Sequence, residues 1–119
     1  MIPNARIGHI GLYRDEITHR PVHYYCKMPK EIEGGVVILL DPMFATGHSA
    51  ADAVDMINQY KPKKIIFVSI VSAPEGVKYF SEIHPNVPCI TAALDEKLNK
   101  DKYIVPGLGD AGDRIFGTK

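Results

Sequence analysis

The sequence predicts an α/β fold, a parallel sheet with flanking helices, to which a β-hairpin arm is added. Strand-like and helix-like stretches alternate from residue 36 to residue 92, and parallel strands need helical crossovers of this kind. Two apolar runs, Val36 to Leu40 and Ile65 to Val71, are typical of strands covered on both faces. The 119 residues suffice for one domain that buries roughly two-thirds of its unfolded surface.

The arm comes first along the chain. Arg6 to Tyr13 alternates in the manner of a strand, and Val22 to Lys27 is rich in Tyr and Val. The polar stretch Asp15 to Pro21 between them indicates a turn, so we expect an antiparallel pair and interpret it as a candidate dimer contact. A turn over Glu31 to Gly35 then leads into the first parallel strand.

The first helix follows the strand at Val36. Its apolar residues recur at helical spacing and form one stripe, made of Ala50, Ala53, Val54 and Ile57. Ser49 is a candidate N-cap, because a hydroxyl can accept from the first-turn N–H groups. Lys61 and Pro62 are expected to end this helix.

The remaining elements complete an alternating series. Lys64 to Val71 predicts a second strand, Pro74 to Ile83 a second helix with proline in its first turn, and Val87 to Ala92 a third strand. Right-handed crossovers follow from this order, and the ligand crevice should lie beyond the carboxyl ends of the strands. Leu94 to Asp113 is then a long connection, which usually indicates function or mobility.

The loop from Asp41 to Ser49 has the composition of an anion site. Asp41 ends the strand, Gly47 supplies backbone freedom, and Thr46 and Ser49 supply hydroxyls where the helix pattern begins. Unpaired N–H groups and the helix dipole favour an anion at such a position.

Two common nucleotide motifs are excluded at this loop. No lysine lies between Leu40 and Lys61, so the P-loop ending Gly-Lys-Ser/Thr is absent, and the turn lacks the G-x-G-x-x-G fingerprint. An acid at the mouth of a phosphate loop suits a phosphorylated sugar, because a carboxylate accepts hydrogen bonds from ribose hydroxyls.

An aliphatic run followed by an acid and a Thr-Gly-x-Ser loop resembles the phosphoribosyl pyrophosphate (PRPP) motif of type I phosphoribosyltransferases. Pro42 stands where that motif has a second acid, and Asp-Pro-Met at this point resembles uracil phosphoribosyltransferase. The segment Val105 to Thr118 is similar to the uracil-binding segment of the same family. The resemblance runs from about Ala5 to Lys119 and implies one partial phosphoribosyltransferase domain over residues 1–119.

The resemblance implies specific roles for residues. Arg14 falls on the pyrophosphate side of PRPP, and Asp110 falls on both the PRPP and the uracil sites and is the candidate catalytic residue. The other PRPP-binding residues implied are Asp41, Pro42, Met43, Phe44, Ala45, Thr46, Gly47, His48 and Ser49. The other uracil-binding residues implied are Ile104, Gly109 and Ala111.

The implied reaction converts uracil and PRPP into UMP and pyrophosphate, with Mg²⁺ accompanying PRPP and no direct metal ligand predicted in the chain. Uracil N1 displaces pyrophosphate from the sugar, so negative charge develops on the leaving group. Arg14 and the metal ion would stabilise that charge. Pro42 stands where the family has a second acid, which is the obvious candidate for a general base. Asp110 is the remaining candidate for that role.

Two positions depart from the family pattern. His48 stands where the pattern has glycine, and we favour partial disruption of the loop over a cationic contact to phosphate. The family also has a further stretch of sequence before the region matched here. We therefore expect a domain fragment, the product of a shortened gene, a homo-oligomer, or a chain completed by another subunit, with an uncovered sheet edge.

Alternatives to catalysis remain open. One is a remnant that binds phosphate or nucleotide without turnover, and a weaker one is an RNA-binding regulatory protein of the same fold. Fourteen basic and fourteen acidic residues give zero formal net charge, which disfavours nucleic acid as a partner. Cys26 and Cys89 lack C-x-x-C spacing, and no apolar run could cross a bilayer, so we expect free thiols and a cytoplasmic protein without membrane contact.

Overall fold

The computed structural model describes residues 2–15 and 21–118. Within these residues eight strands and three α-helices follow one another, with a 3₁₀ turn at Lys30–Ile32. In chain order they are β1 (His9–Arg14), β2 (Pro21–Lys27), β3 (Val36–Leu40), β4 (Met43–Phe44), α1 (His48–Asn58), β5 (Lys64–Ser72), α2 (Pro74–Ile83), β6 (Cys89–Leu94), β7 (Lys97–Leu98), β8 (Ile104–Val105) and α3 (Ala111–Phe116).

The central sheet is parallel, and β5 is its middle strand. β3 and then β4 pair with one edge of β5, with Val36 opposite Lys64 and Met43 opposite Val71. β6 pairs with the other edge. The α/β fold predicted from the sequence is confirmed. The outer edge of β3 has no partner strand among residues 2–15 and 21–118.

The core lies on one face of this sheet, beneath α1 and α2. Three phenylalanines form its centre, and each is at most 1% exposed. The ring of Phe44 lies 4.5 Å from that of Phe67 and 5.7 Å from that of Phe80. Burying a side chain of this size contributes roughly 1.5 to 3 kcal/mol, so this cluster stabilises the layer that carries the loop after β4.

The opposite face of the sheet is open to solvent. Val36 is 60% exposed and Leu40 is 69% exposed, so the prediction that β3 is covered on both faces is wrong for this chain. The apolar run correctly predicted a strand. Such a run shows that both faces of the strand are apolar, but it does not show that other elements cover them. We call the exposed side the aliphatic face, made of Val36, Ile38, Leu40, Ile66, Val68, Ile70 and Ile90.

The arm is the antiparallel pair β1–β2, as predicted. Gly11 is buried under the ring of Tyr24, where a Cβ atom would come within 2.5 Å of the ring carbons. Ile10 packs against the core cluster, and His23 Nε2 lies 4.0 Å from Asp52 Oδ2 on α1. The arm therefore rests on the helical layer, and its role as a dimer contact stays a prediction.

The segment after β6 is more structured than the sequence indicated. The stretch predicted as one long connection contains the hairpin β7–β8 and the start of the helix α3. Both cysteines are free thiols. Within the described parts of the chain, no helix is long and apolar enough to span a membrane.

Candidate functional site

The run Asp41 to Ser49, here called the phosphate loop, lies at the carboxyl end of the sheet. Asp41 and Pro42 connect β3 to β4, and both Ile70 N–H (3.2 Å) and Val71 N–H (3.1 Å) donate to the Pro42 carbonyl. The loop surrounds a small pocket of about 60 Å³, lined by Asp41, Met43, Phe44, Ala45, Thr46, Gly47, Ser49 and Ala50. Residues predicted to contact one phosphate group are therefore brought together.

The N-cap of α1 is Gly47, so the prediction that Ser49 caps this helix is wrong. Gly47 has φ +85° and ψ −13°, a left-handed conformation that glycine adopts without steric cost. Ser49 lies one residue inside the helix instead. No side chain among the described residues accepts a capping bond here, and the first N–H groups of any helix lack intrahelical acceptors. An anion in the pocket would face this uncapped helix end.

The phosphate loop is held against the first turn of α2 by two glycines. A Cβ atom on Gly76 would overlap the Ala45 carbonyl and lie 3.2 Å from Gly47 N. A Cβ atom on Gly47 would in turn lie 2.8 Å from the Gly76 carbonyl oxygen. Only backbone fits between them, so Gly76 positions the loop although sequence reasoning gave it no role. One signal was a glycine in the first turn of a helix, where alanine is normally favoured.

Asp41 is a partly buried acid at the mouth of the pocket. Met43 N–H donates to Asp41 Oδ1 at 3.2 Å. Burial raises the pKa of Asp41 above its ordinary value, and the hydrogen bond from Met43 opposes that rise. A carboxylate in this position can accept hydrogen bonds from sugar hydroxyls beside a bound phosphate.

His48 is the first residue of α1 and is exposed. The described non-glycine residues with positive φ are Lys61 and Lys102, so the left-handed residue of the loop is Gly47, and His48 carries no left-handed backbone strain. The imidazole ring stacks on Tyr79 of α2 with 4.4 Å between ring centroids. The side chain is thereby held beside the loop rather than across it.

The predicted uracil-binding residues lie on or after β8. Ile104 is 3% exposed and pairs with Leu98 of β7. Gly109 has φ +77°, and Ala111 begins α3. The Asp110 carboxylate caps α3 by accepting from Asp113 N–H at 2.8 Å, so it already has a structural partner. The catalytic role of Asp110 stays a prediction.

Two acids tie this segment to the rest of the site. Glu75 Oε1 accepts from Leu98 N–H at 2.9 Å, and Asp95 Oδ2 accepts from Gly107 N–H at 3.0 Å. The hydrogen bond from Leu98 lowers the pKa of Glu75 below its ordinary value. The first turn of α2 therefore contacts the phosphate loop through Gly76 and the β7–β8 hairpin through Glu75.

Arg14 ends β1, and its side chain lies outside the part of the structure that is described. A larger cavity of about 320 Å³ lies at the opposite end of the sheet, near Lys64 and His84. It is remote from the predicted residues, and ligands of parallel sheets bind at the carboxyl ends of the strands. We therefore place the candidate site at the phosphate loop, although its pocket is smaller.

Comparison with known proteins gives the family. The family model described as uracil phosphoribosyltransferase matches residues 1–118. The chain belongs to the uracil phosphoribosyltransferase family. The resemblance inferred from the two sequence motifs is confirmed. The relatives of this chain are named uracil phosphoribosyltransferase, which is an enzyme of the glycosyltransferase type.

Individual relatives show how much of a uracil phosphoribosyltransferase this chain represents. It is 62% identical to the uracil phosphoribosyltransferase of Ureaplasma parvum over all 119 residues, which is 58% of that protein. It is 60% identical to that of Malacoplasma penetrans, again over 58% of the relative. A solved protein structure from Aquifex aeolicus matches 99% of this chain with a TM-score of 0.93 and 40% identity. That match spans 56% of the Aquifex chain.

Proposed function

We propose that this chain carries the phosphate and uracil subsites of a uracil phosphoribosyltransferase, which converts uracil and PRPP into UMP and pyrophosphate. The observation that carries the proposal is the phosphate loop, an uncapped helix end with Asp41 at its mouth, in a chain of this family. Such a reaction serves pyrimidine salvage, and the free thiols Cys26 and Cys89 are consistent with the cytoplasm.

Each subsite has a defined task. The N–H groups after Gly47 and the hydroxyls of the loop would bind the 5′-phosphate, while Asp41 orients the ribose by accepting from its hydroxyls. The backbone around Gly109 would match the hydrogen-bonding edge of uracil, because glycine lets the main chain approach a flat ligand closely. Arg14 would stabilise the leaving pyrophosphate.

Mg²⁺ would reach this site with PRPP. Within the described residues, no group of three His, Cys, Asp or Glu side chains could hold a metal ion. Mg²⁺ ordinarily keeps several waters and binds mainly through substrate phosphates. When bound, the ion would neutralise charge on the pyrophosphate, and Asp41 and Asp110 are the carboxylates that the resemblance assigns to the PRPP site.

The pocket inside the phosphate loop has the size of a single chemical group. Its volume of about 60 Å³ suits the phosphate of a larger ligand. The alternative to turnover by this chain is binding of phosphate or nucleotide alone.

Two measurements on the purified chain separate these candidates. We expect calorimetry to detect UMP and PRPP, and we expect weaker binding of inorganic phosphate at the same site. An assay of UMP formation from labelled uracil and PRPP with Mg²⁺ tests turnover. Binding without turnover selects the second candidate, and failure to bind any of the three ligands would sink both.

A further inference from the structure

Three hydroxyl side chains are hydrogen-bonded to one another at the carboxyl end of β5, and we call them the hydroxyl network: Ser69, Ser72 and Thr91. Ser69 is 5% exposed and Ser72 is 0% exposed. Their Oγ atoms lie 2.8 Å apart, and Ser72 Oγ donates to Thr91 Oγ1 of β6 at 2.9 Å. Thr91 Oγ1 donates in turn to the Ala93 carbonyl at 2.9 Å. Because Ser72 gives its single hydroxyl proton to Thr91, Ser69 is the donor to Ser72.

The contact between Ser69 and Ser72 marks an irregular stretch of β5. Residues three apart in a regular strand point to opposite faces and lie roughly 10 Å apart, so their hydroxyls would not meet. Between these serines, the N–H groups of Ile70 and Val71 both donate to one acceptor, the Pro42 carbonyl. The register with β6 likewise passes from Ser69 to Val71 without Ile70. The hydroxyl network therefore bridges the irregular stretch and ties both of its ends to β6.

The backbone that follows this stretch contacts both proposed subsites. Ala73 N–H donates to the Phe44 carbonyl of the phosphate loop at 2.9 Å. The Ser72 carbonyl accepts from Asp95 N–H at 2.9 Å. The Asp95 carboxylate accepts from Gly107 N–H, which lies in the segment that carries the predicted uracil residues. Two adjacent residues, Ser72 and Ala73, thus link the phosphate loop to that segment.

We propose that the hydroxyls of Ser69, Ser72 and Thr91 are positioning groups that fix the end of β5, whose backbone links the phosphate and base subsites. The assignment of the two subsites rests on the proposed function, whereas the rigidity of the strand end does not. No buried side-chain N or O atom among the described residues lacks a hydrogen-bond partner. A buried hydroxyl deprived of its partner carries a desolvation cost, so the intact network favours one arrangement of the strand end.

The consequence of losing the network differs between ligands. A ligand that occupies one subsite can follow that subsite if the strand end shifts. UMP must place its phosphate and its uracil at a fixed spacing, so a shift of one subsite against the other costs it affinity. Loss of the network should therefore weaken the binding of UMP more than that of inorganic phosphate.

Thr91→Val tests the network, because valine keeps the branched shape of threonine but removes the acceptor of Ser72. Calorimetry should show a loss of UMP affinity of at least about fivefold, with a change of less than about twofold for inorganic phosphate. Thr91→Ser keeps the hydroxyl and should leave both affinities unchanged. Ser81→Ala is a second control, because the Ser81 hydroxyl donates to the Val77 carbonyl within α2, and it should also change neither affinity.

Hydrogen exchange measures the strand end without any ligand. The Asp95 amide donates to the Ser72 carbonyl and should exchange at least about fivefold faster in Thr91→Val than in Thr91→Ser. The Phe67 amide is the internal reference, because it donates to the Pro88 carbonyl before the irregular stretch of β5 begins. Its exchange rate should be the same in both variants.

Four outcomes would overturn the proposal. They are an unchanged UMP affinity in Thr91→Val, an equal loss of UMP and phosphate affinity in that variant, the same loss of UMP affinity in Thr91→Ser, and unchanged exchange at the Asp95 amide. If the unsubstituted chain binds neither ligand, the proposed function fails, and exchange at Asp95 still decides whether the network fixes the strand end. Ser69→Ala removes the first donor and replaces Thr91→Val if that variant does not fold, with the same difference expected between UMP and phosphate.

Discussion

The phosphate loop and the segment 104–111, which carries the predicted uracil residues, are built in different ways. The loop is packed into the core: Phe44 is 1% exposed, and Gly47 and Gly76 touch backbone to backbone. The uracil segment is anchored by Ile104 but otherwise exposed, and α3 buries no residue. Its geometry depends on a few hydrogen bonds: Gly107 N–H donates to Asp95, and Leu98 N–H of the paired strand donates to Glu75. Core packing should therefore fix the phosphate subsite, while the base subsite adjusts more easily.

The largest effect on stability is expected from a comparison of two Phe→Ala substitutions, one beneath the phosphate loop and one on α3. Phe80→Ala empties a site beneath the phosphate loop where the ring is 0% exposed, and we expect a loss of about 3 to 5 kcal/mol in the free energy of unfolding. Phe116→Ala on α3, where the ring is 77% exposed, should change it by less than about 0.5 kcal/mol. Urea denaturation measures both, and similar losses would contradict the contrast drawn between the regions.

The next effect concerns the contact between the two glycines. Gly76→Ala forces a Cβ atom into the Ala45 carbonyl, so we expect the affinity for PRPP or UMP to fall at least about tenfold in calorimetry. Gly34→Ala is the control, because Gly34 has φ +69° and open space around it. That variant should lose about 1 kcal/mol of stability without losing affinity. Equal affinity losses would mean that general destabilisation, and not loop geometry, is responsible.

Asp41→Asn should have opposite effects on stability and on binding. The raised pKa of Asp41 means that the folded chain holds its proton more tightly than the unfolded chain, so ionisation costs stability. Asparagine should therefore raise the melting temperature at neutral pH, and this gain should disappear as the pH falls through the raised pKa toward 3.8. Affinity for PRPP should fall because the amide is a weaker acceptor for ribose hydroxyls. A gain in melting temperature that persists at pH 3 would contradict this account.

Glu75→Gln tests how the exposed segment is held. The lowered pKa of Glu75 means that its carboxylate favours the folded hairpin, and this contribution is lost as the pH falls through that lowered pKa. We expect faster hydrogen exchange at the Leu98 amide in the variant, and in the unmodified chain at low pH. Glu82→Gln, an exposed substitution on the same helix, should leave that exchange rate unchanged.

The smallest effect is expected at His48. Its ring rests on Tyr79 and the helical backbone there carries no strain, so His48→Gly should change PRPP affinity by less than about twofold. A clear gain in affinity on calorimetry would restore the earlier expectation that histidine disrupts the loop.

Elements with strong periodicity were predictable from the sequence. The structure places β3 at Val36–Leu40 and α2 at Pro74–Ile83, the bounds that the apolar run and the first-turn proline indicated. The phosphate loop was also located, because its acid, glycine and hydroxyls follow the strand β3.

The remaining features depend on contacts that no local pattern contains. β7 and β8 have two residues each, and Leu98 N–H of β7 donates to Glu75, which lies 23 positions away in sequence. Ser49 matched the preference for a cap, yet the close approach of Gly76 selected Gly47. The exposure of β3 could not be deduced either, since its residues are those of a strand that has a cover.

Glu75 and Gly76 are neighbours in sequence, yet one contacts the β7–β8 hairpin and the other contacts the phosphate loop. This dipeptide therefore sets the spacing between the two proposed subsites. Under the proposed function, the phosphate and the base of the substrate would lie at the spacing that this dipeptide sets. We expect analogues lengthened by one methylene between phosphate and ribose to be rejected on length alone.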